Sequence, residues 1–535
     1  MLNLHLKSQD KPFSPPLQKK LSIGLVLIGG ALLCFSHSFA ASIDNNNAFP
    51  KTVSDRIYQP FKGDLADIRE RRILRVLVSY NKTNFFHTKR GNRGIEHDLI
   101  KAYEKYLNRG PRKTRYKTHI VFLARPFEKL LPDLLAGNGD MVASGLTITP
   151  ERQSFIDFTE PYIENVDEIL VSNNENPAPT KLEELAGKQV IVVANSSYII
   201  HLEKANQSLG LLGLAPIEIV KADSLLEAED LLEMVNAGLF DYTVVDNHIA
   251  EIYSKIFKNL RLQNEFVFHH GGKIGWALNK NLPDLKESLN HFINDYARPG
   301  KLLGNSLYKK YFKNPFWIKQ PLSLNALTET PCLQYYFEKY AIFFDFDWYL
   351  IASQAYQESG FKQNLRSSAN AVGIMQIKPS TAASKIVNIP NISKMENNIL
   401  AGVKYLAFIR DYYFDKPEYS NEDKINFSLA AYNAGPGRIR KLQRLAESKG
   451  LDPHKWHYNV EVIARQEIGH ETVDYVTKIQ KTKIALKLAK ELAEKKHWLK
   501  NQRIEEFQEA EQEKSEAPTN QESPAKTFMQ AVDKP

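Results

Sequence analysis

The chain changes its pattern once, near residue 313, and that change constrains its architecture more than any other feature. From "RRILRVLVSY" onward, short β-branched runs alternate with helical stretches. The runs "ILRVLVSY", "THIVFLA", "QVIVVA", "IEIVKA" and "DYTVVD" are separated by segments such as "IEHDLIKAYEKYL" and "SLLEAEDLLEMVNAG". Strands alternating with helices predict a largely parallel α/β sheet. The alternation ends near Phe312, and "KNPFWIKQPLSLNALTETP" then punctuates the chain with prolines and polar residues. From about 332 to 490 the periodicity is helical throughout, with strand-like runs essentially absent. A chain of 535 residues is too long for one core, so an α/β domain followed by an all-α domain is expected.

The two ends read differently. Lys7, Lys11, Lys19 and Lys20 precede the apolar run "LSIGLVLIGGALLCF", and "SHSFAA" follows with Ser38 and Ala40 in an A-x-A-like arrangement. This predicts a signal peptide over 1–40, cleaved near Ala40 or Ala41, and hence an exported protein. The alternative is an uncleaved anchor, for which the run is short. Cys34 follows Leu33, where a lipoprotein signal wants a small residue, and only Cys332 remains after cleavage, so no internal disulfide is expected. Residues 41–70 read as a polar linker, 71–313 as the α/β domain, 314–331 as a second linker and 332–495 as the helical domain. The Glu-, Gln-, Lys- and Ser-rich stretch 496–535 reads as a disordered polar tail, most clearly from 502. The net charge of +8 suits an anionic partner such as a cell-wall polymer, a membrane surface or nucleic acid. That charge is spread along the chain, with no arginine-rich block, zinc-finger spacing or nucleic-acid motif, so nucleic acid is set aside.

One glutamate in the helical half stands out. "DWYLIASQAYQESGF" places Trp348, Ile351, Ala352 and Ala355 at helical spacing, with Gly360 at the stop. Glu358 therefore falls in the last turn, where the helix dipole already presents negative charge. Alone, it reads as a solvated helix-end carboxylate. Further elements accompany it: "SSANAVGIMQIKPSTA", then "FSLAAYNAGPGRI" with Ala431-Tyr432-Asn433 before a Gly-Pro-Gly breaker, then "GHETVDYVTKI" with Tyr475-Val476 on a helix. Singly these read as core packing, a C-cap turn and a buried aromatic. In this order they resemble the soluble-lytic-transglycosylase domain, a lysozyme-like helical fold that cuts bacterial peptidoglycan.

The resemblance implies an activity. Cleaving a β-1,4 glycosidic bond needs a proton donor at the leaving oxygen, and an apolar cleft at a helix C-terminus would keep the Glu358 carboxyl protonated. It makes Glu358 acid and then base, while the muramic acid's own 6-hydroxyl closes a 1,6-anhydro ring. Tyr475 and Gln376 are expected to hold the carboxyl, and Ser359, Met375, Tyr432 and Asn433 to contact the N-acetyl sugars. A lysozyme-type hydrolase would need a second carboxylate. The motifs contain none, although Asp411 and Asp415 lie in a stretch that could reach the cleft. The sequence departs from the family at Asn370-Ala371, where a Gly-Ala pair is usual, and asparagine tolerates the left-handed conformation better than other non-glycine residues. No metal-ligand spacing appears, and no cofactor is implied.

In the α/β half, "LLPDLLAGNGDMVASGLTITPERQSFIDFTEPY", "LEELAGKQVIVVANSSY" and "GLFDYTVVDNHIA" resemble the solute-binding family that includes periplasmic amino-acid receptors. The resemblance implies two lobes closing on a small ligand, amino-acid-like or a muropeptide. Arg152 would grip its carboxylate, Thr147 or Thr149 would donate hydroxyls, and Asp246 would pair with its ammonium group. The structural alternatives are a surface arginine, or one paired with Glu151 or Asp157, and a helix cap at Asp246. Together the halves are arranged as in the membrane-bound lytic murein transglycosylase F family. That implies a periplasmic enzyme acting on peptidoglycan strands, peripheral on the inner face of the outer membrane. The remaining rival is a non-catalytic binding or sensor protein that docks on the wall.

Overall fold

The structure, a computed structural model, describes residues 53–88, 91–110, 116–315, 318 and 331–516. The expected signal peptide, most of the 314–331 linker and the end of the tail lie outside these residues.

The α/β half is two-lobed. The first lobe is built on β1 (Ile73–Val78), buried along its whole length. A small hairpin follows, β2 (Phe86–Thr88) with β3 (Gly91–Arg93). β4 (His119–Ala124) and β5 (Met141–Val142) flank β1, both parallel to it. β6 (Asp157–Phe158) leads into β7 (Ile163–Asn173), which enters the second lobe. There β8 (Gln189–Val192) pairs in parallel with β9 (Glu218–Lys221) and with β10 (Tyr242–Asp246). β11 (Leu260–Ile274) runs antiparallel to β7, and β12 (Ala277–Leu278) returns the chain to the first sheet. The sheet orders are β4-β1-β5-β12-β6 and β11-β7-β10-β8-β9.

The five runs read from the sequence are β1, β4, β8, β9 and β10, and they form the parallel parts. The expectation of a largely parallel sheet is corrected by β7 and β11, the long antiparallel pair through which the chain passes between lobes. Their register is interrupted between Gln263 and Val267 and again near His269 and Gly272, and much of β11 is half exposed. A partly solvated strand with bulges has no period-2 signature to read.

The linker expected at 41–70 is likewise corrected within the described residues. Helices Val53–Tyr58 and Leu65–Arg71 pack on the first lobe, burying Leu65 and Ile68. Arg75, fully buried, donates to the carbonyls of Gln59 at 2.9 Å and Gly137 at 2.8 Å and pairs with Asp140 at 2.8 Å. A buried guanidinium needs acceptors for its N–H groups, and the 57–61 backbone supplies several of them.

In the helical half, Leu350 to Ala355 are all buried, so the Trp348–Ser359 helix runs through the middle of the domain. Its small residues Ala352, Ser353 and Ala355 let the Pro331–Phe343 helix and the long Glu471–Glu516 helix approach closely. The Met395–Ile409 and Asn421–Ala434 helices complete a core around Phe337, Ile399, Phe427 and Trp456, each fully buried. The long helix continues to Glu516, past the point where the composition predicts a disordered tail. Nothing between Glu471 and Glu516 is Gly or Pro, and pairs such as Lys490–Glu494 lie at i,i+4. This helix also ties the halves together: Lys481 pairs with Asp230 of the second lobe, and Ala485 is buried in the α/β core. Arg465 stacks on the Tyr80 ring of the first lobe, 4.2 Å from its centroid.

Candidate active site

The Trp348–Ser359 helix is capped at its start by Asp347, whose side chain accepts from the Tyr349 N–H. It ends at Gly360, φ 61°, a left-handed position that suits glycine. Glu358 sits in its last turn, half-buried. Burial pushes its carboxyl up to about 7, against the opposing pull of a hydrogen bond from Tyr475. Tyr475, in the second turn of the long helix, donates its hydroxyl proton to Glu358 Oε1 at 2.6 Å. Beneath it Gln354, fully buried one turn before Glu358, donates from Nε2 to the Tyr475 oxygen at 3.2 Å. At neutral pH the carboxyl is therefore partly protonated and already oriented, the condition a general acid requires.

The "GIMQ" loop forms the adjoining wall. Asn370 takes the left-handed conformation, φ 61°, as expected where the family has glycine. Gly373 is also left-handed, φ 79°, and its Cα faces the Asn398 amide so closely that a Cβ would collide with it. Asn398 is fully buried, accepts from the Met375 N–H at 2.9 Å and donates to the Val372 carbonyl at 2.8 Å. It locks the loop from behind. No motif in the sequence marked it.

This arrangement changes the reading of several residues. Gln376 does not hold the Glu358 carboxyl: its amide donates to the carbonyls of Gly373 at 2.8 Å and Leu365 at 3.2 Å, within its own loop. The glutamine linked to that carboxyl is Gln354, which reaches it through the Tyr475 hydroxyl. Ser359 is buried and donates to the Ile374 carbonyl at 2.9 Å while accepting from the Lys362 N–H at 3.2 Å, so its hydroxyl braces the helix end against the loop. The Met375 side chain is fully buried beside Gly402, and only its backbone faces a site residue, accepting from the Tyr432 hydroxyl at 2.8 Å. Tyr432 is half-buried, with its ring 5.4 Å from that of Tyr405. Asn433 is exposed, and its Oδ1 accepts from Thr472 at 2.8 Å. Tyr432 and Asn433 close the Asn421–Ala434 helix beside Tyr475.

Asp411 and Asp415 are both tied up away from Glu358. Asp411 accepts from Arg410, whose guanidinium also grips the Phe344 and Asp345 carbonyls before the glutamate helix begins. The 12-residue helix between that point and Glu358 spans about 18 Å. Asp415 pairs with Lys424 at 2.7 Å, near the start of the helix that ends at Ala434. Carboxylate pairs in hydrolases stand about 5–9.5 Å apart. Among the described residues no carboxylate contributes to the Glu358 shift.

The α/β half has a separate, small cavity of about 70 Å³ between its lobes, lined by Thr147, Arg152, Tyr198, Glu227, Glu229 and Asp246 among others. Arg152 is buried, not a surface arginine, and forms no ion pair with Glu151 or Asp157. It donates to the Thr147 carbonyl at 2.8 Å and, across the cleft, to the Asn195 carbonyl at 3.2 Å. Thr149 caps the short Pro150–Gln153 helix. Asp246 occupies an N-cap position, but its side chain makes no capping bond. It accepts from the Tyr198 hydroxyl at 3.1 Å, and burial followed by the nearby Glu168 raises it to about 7. Glu227 is pushed up to about 8 by burial and by Glu229. No spacing in the sequence pointed to Tyr198, Glu227 or Glu229. The lobes also bond directly to each other, Lys82 to Glu233 at 3.1 Å and Thr83 to Glu229.

Comparison with known proteins agrees with this two-part layout. Residues 74–314 match the family of bacterial extracellular solute-binding proteins, family 3, and residues 335–454 match the transglycosylase SLT domain. A protein of Desulfosudis oleivorans named membrane-bound lytic murein transglycosylase F is 28% identical over 410 residues, 76% of this chain and 85% of that protein. Proteins of the same name from Maricaulis maris and Pseudomonas fluorescens are 29% and 27% identical, over 79% and 73% of this chain and 91% and 77% of their own lengths. With a solute-binding domain followed by a transglycosylase SLT domain, the chain is similar over most of its length to proteins named membrane-bound lytic murein transglycosylase F.

Proposed function

We propose that the chain is a peptidoglycan lytic transglycosylase with Glu358 as its catalytic residue. It cleaves the β-1,4 bond between N-acetylmuramic acid and N-acetylglucosamine. The carrying observation is a single half-buried glutamate, held at about 7 and oriented by Tyr475, with no second carboxylate acting on it among the described residues. The protonated Glu358 gives its proton to the bridging oxygen as the bond from muramic acid C1 breaks. The resulting carboxylate then takes the proton of the muramic acid 6-hydroxyl as that oxygen bonds to C1. The glutamate ends as it began, water is not consumed, and the product carries a 1,6-anhydro ring. The ring of Tyr432 and the amide of Asn433 at the cleft edge supply stacking and hydrogen bonding for the sugars. A lysozyme-type hydrolase is disfavoured by the placement of Asp411 and Asp415. In purified sacculi, Glu358→Gln should release no soluble fragments while the wild type does. Undiminished release by that variant refutes the assignment.

The α/β domain fits a small ligand taken between its lobes, with Arg152 and Asp246 as opposite charges and Thr147 beside them. An amino acid or a muropeptide has the matching carboxylate and ammonium. Ligand closure would act on the lyase through the second lobe, which Lys481 ties to the helix bearing Tyr475. Titration with the amino acids and with soluble muropeptides should shift the thermal midpoint, and Arg152→Ala should abolish the shift; no shift with any of them removes the sensing role. Among the described residues no helix is long and apolar enough to cross a membrane. The family's name and the N-terminal leader support a periplasmic enzyme peripheral on the outer membrane. Fractionation of cells tests that placement.

A further inference from the structure

We propose that Gln354 is a positioning residue of the reaction, whose amide turns over to hold the Tyr475 hydroxyl in whichever direction the protonation state of Glu358 demands. The inference rests on the one-glutamate mechanism above.

Gln354 has no contact with solvent. Its Nε2 donates to the Tyr475 oxygen at 3.2 Å, and Tyr475 donates to Glu358 Oε1 at 2.6 Å. Its own Oε1 is buried and has no hydrogen-bond partner among the described residues. A buried amide oxygen left without a donor is costly, and leucine or methionine would fill the same space without that cost. The position therefore holds an amide for what both of its ends can do.

The tyrosine hydroxyl has one proton. When Glu358 is ionised, that proton must point at the carboxylate, and the hydroxyl oxygen accepts from the Gln354 Nε2–H. This is the observed chain. When Glu358 is protonated, its own proton can be given to the tyrosine oxygen, and the tyrosine proton then needs an acceptor on its other side. A half-turn about the terminal torsion of Gln354, a broad two-fold torsion, puts Oε1 there. No proton leaves its owner in this exchange, and only the direction of each hydrogen bond reverses. An enzyme whose one glutamate is acid and then base passes through both states in every turnover. An uncharged group offering donor and acceptor at one place suits both.

The groups facing Glu358 agree with this. Tyr475 approaches from the long helix and Tyr432 from the Asn421–Ala434 helix, with Tyr405 of the Met395–Ile409 helix behind it. Tyr432 is committed to the Met375 carbonyl. Among the described residues no charged side chain shifts the glutamate, so the tyrosine–glutamine chain is the polar contact through which its two states are balanced.

The test compares Gln354→Met and Gln354→Glu with the wild type in the full chain, following fragment release from sacculi from pH 5 to 9 alongside thermal melting. Gln354→Met keeps the volume and removes both hydrogen-bonding ends. It should lower kcat by about tenfold or more, the usual scale for losing a group that orients a reacting residue, with KM nearly unchanged. Its descending pH limb should also move, because neither protonation state of Glu358 then has the glutamine end that completes its hydrogen-bond chain. Gln354→Glu should recover activity at low pH, where the new carboxyl is neutral and still has a donor and an acceptor, and lose it once that carboxyl ionises. A wild-type kcat and pH profile in Gln354→Met overturns the inference. So does a lowered kcat with an unmoved limb and no low-pH recovery in Gln354→Glu, which is what packing alone would give. Should the methionine variant melt below the assay temperature, the pH dependence of Gln354→Glu decides alone. A wild type that releases no fragments overturns the enzyme reading itself, a separate outcome.

Discussion

Replacing Glu358 by Gln should stabilise the folded protein at neutral and alkaline pH while destroying its activity. The folded state holds the Glu358 carboxyl at about 7 by burying it, against 4.5 for the ordinary group. Between those values the folded chain keeps a proton that the unfolded chain has lost. The stabilisation from that proton is complete below 4.5, fades as pH rises toward 7 and is gone above it. One pKa unit corresponds to about 1.4 kcal/mol, so the whole gap is worth roughly 3 kcal/mol, an upper value for a half-buried group. Glutamine carries no charge at any pH and keeps a carbonyl oxygen to accept from Tyr475. The variant should match the wild type near pH 4 and exceed it by roughly 2–3 kcal/mol at pH 8. For a chain of 535 residues that is about 2–3 °C in thermal midpoint. Melting curves of both proteins at pH 4, 6 and 8 read this directly. A difference that is constant with pH, or that shrinks as pH rises, would show that the folded state does not favour the protonated acid.

Other substitutions separate bracing from chemistry. Tyr475→Phe removes the one hydrogen bond that lowers the Glu358 pKa, so the descending limb of kcat/KM should move up from about 7; a bond to an ionised group is worth about 1.5–3 kcal/mol, or one to two pH units. A pH profile unchanged in that variant would remove Tyr475 from the account. Ser359→Ala should cost about 1–2 kcal/mol in urea unfolding with KM unaltered, since its hydroxyl serves the Ile374 carbonyl and the Lys362 N–H; a raised KM at full stability would restore the sugar contact. Asn370→Gly should be nearly neutral and Asn370→Ala destabilising by about 1 kcal/mol, because φ is 61° there. Equal effects of the two would mean the left-handed turn is not occupied.

The sequence made legible whatever is written in local spacing. The helix ending at Gly360, the turn at Gly435 and the strands at β1, β4, β8, β9 and β10 follow from periodicity and breakers, and the structure has them at those places. Glu358 emerged because its position conflicts with the helix dipole. What the sequence could not separate was which side of a motif residue faces the cleft. Ser359, Met375 and Gln376 lie within the motifs, yet their side chains are spent on holding the "GIMQ" loop, and their importance to the fold is what keeps the cleft in shape. Gln354 escaped notice because a glutamine in a helix is ordinary, and only the tertiary pairing with a residue 121 positions away gives it a role. β7 and β11 are hidden for the opposite reason: β11 is half exposed and bulged, and the first half of β7 mixes Glu164, Asn165, Asp167 and Glu168 among its apolar residues. The helices within 53–71 carry few apolar residues, and the 57–61 backbone is held by Arg75, a buried charge that composition cannot reveal.

The central claim is that one glutamate suffices because the sugar's own hydroxyl completes the reaction. Digesting purified sacculi with the wild-type protein in water enriched in oxygen-18, followed by mass spectrometry of the released fragments, tests this directly. The account predicts anhydro-muramic termini that carry no heavy oxygen, formed by the wild type and absent with Glu358→Gln. Reducing termini bearing oxygen-18 would show that water attacks C1, and would contradict it.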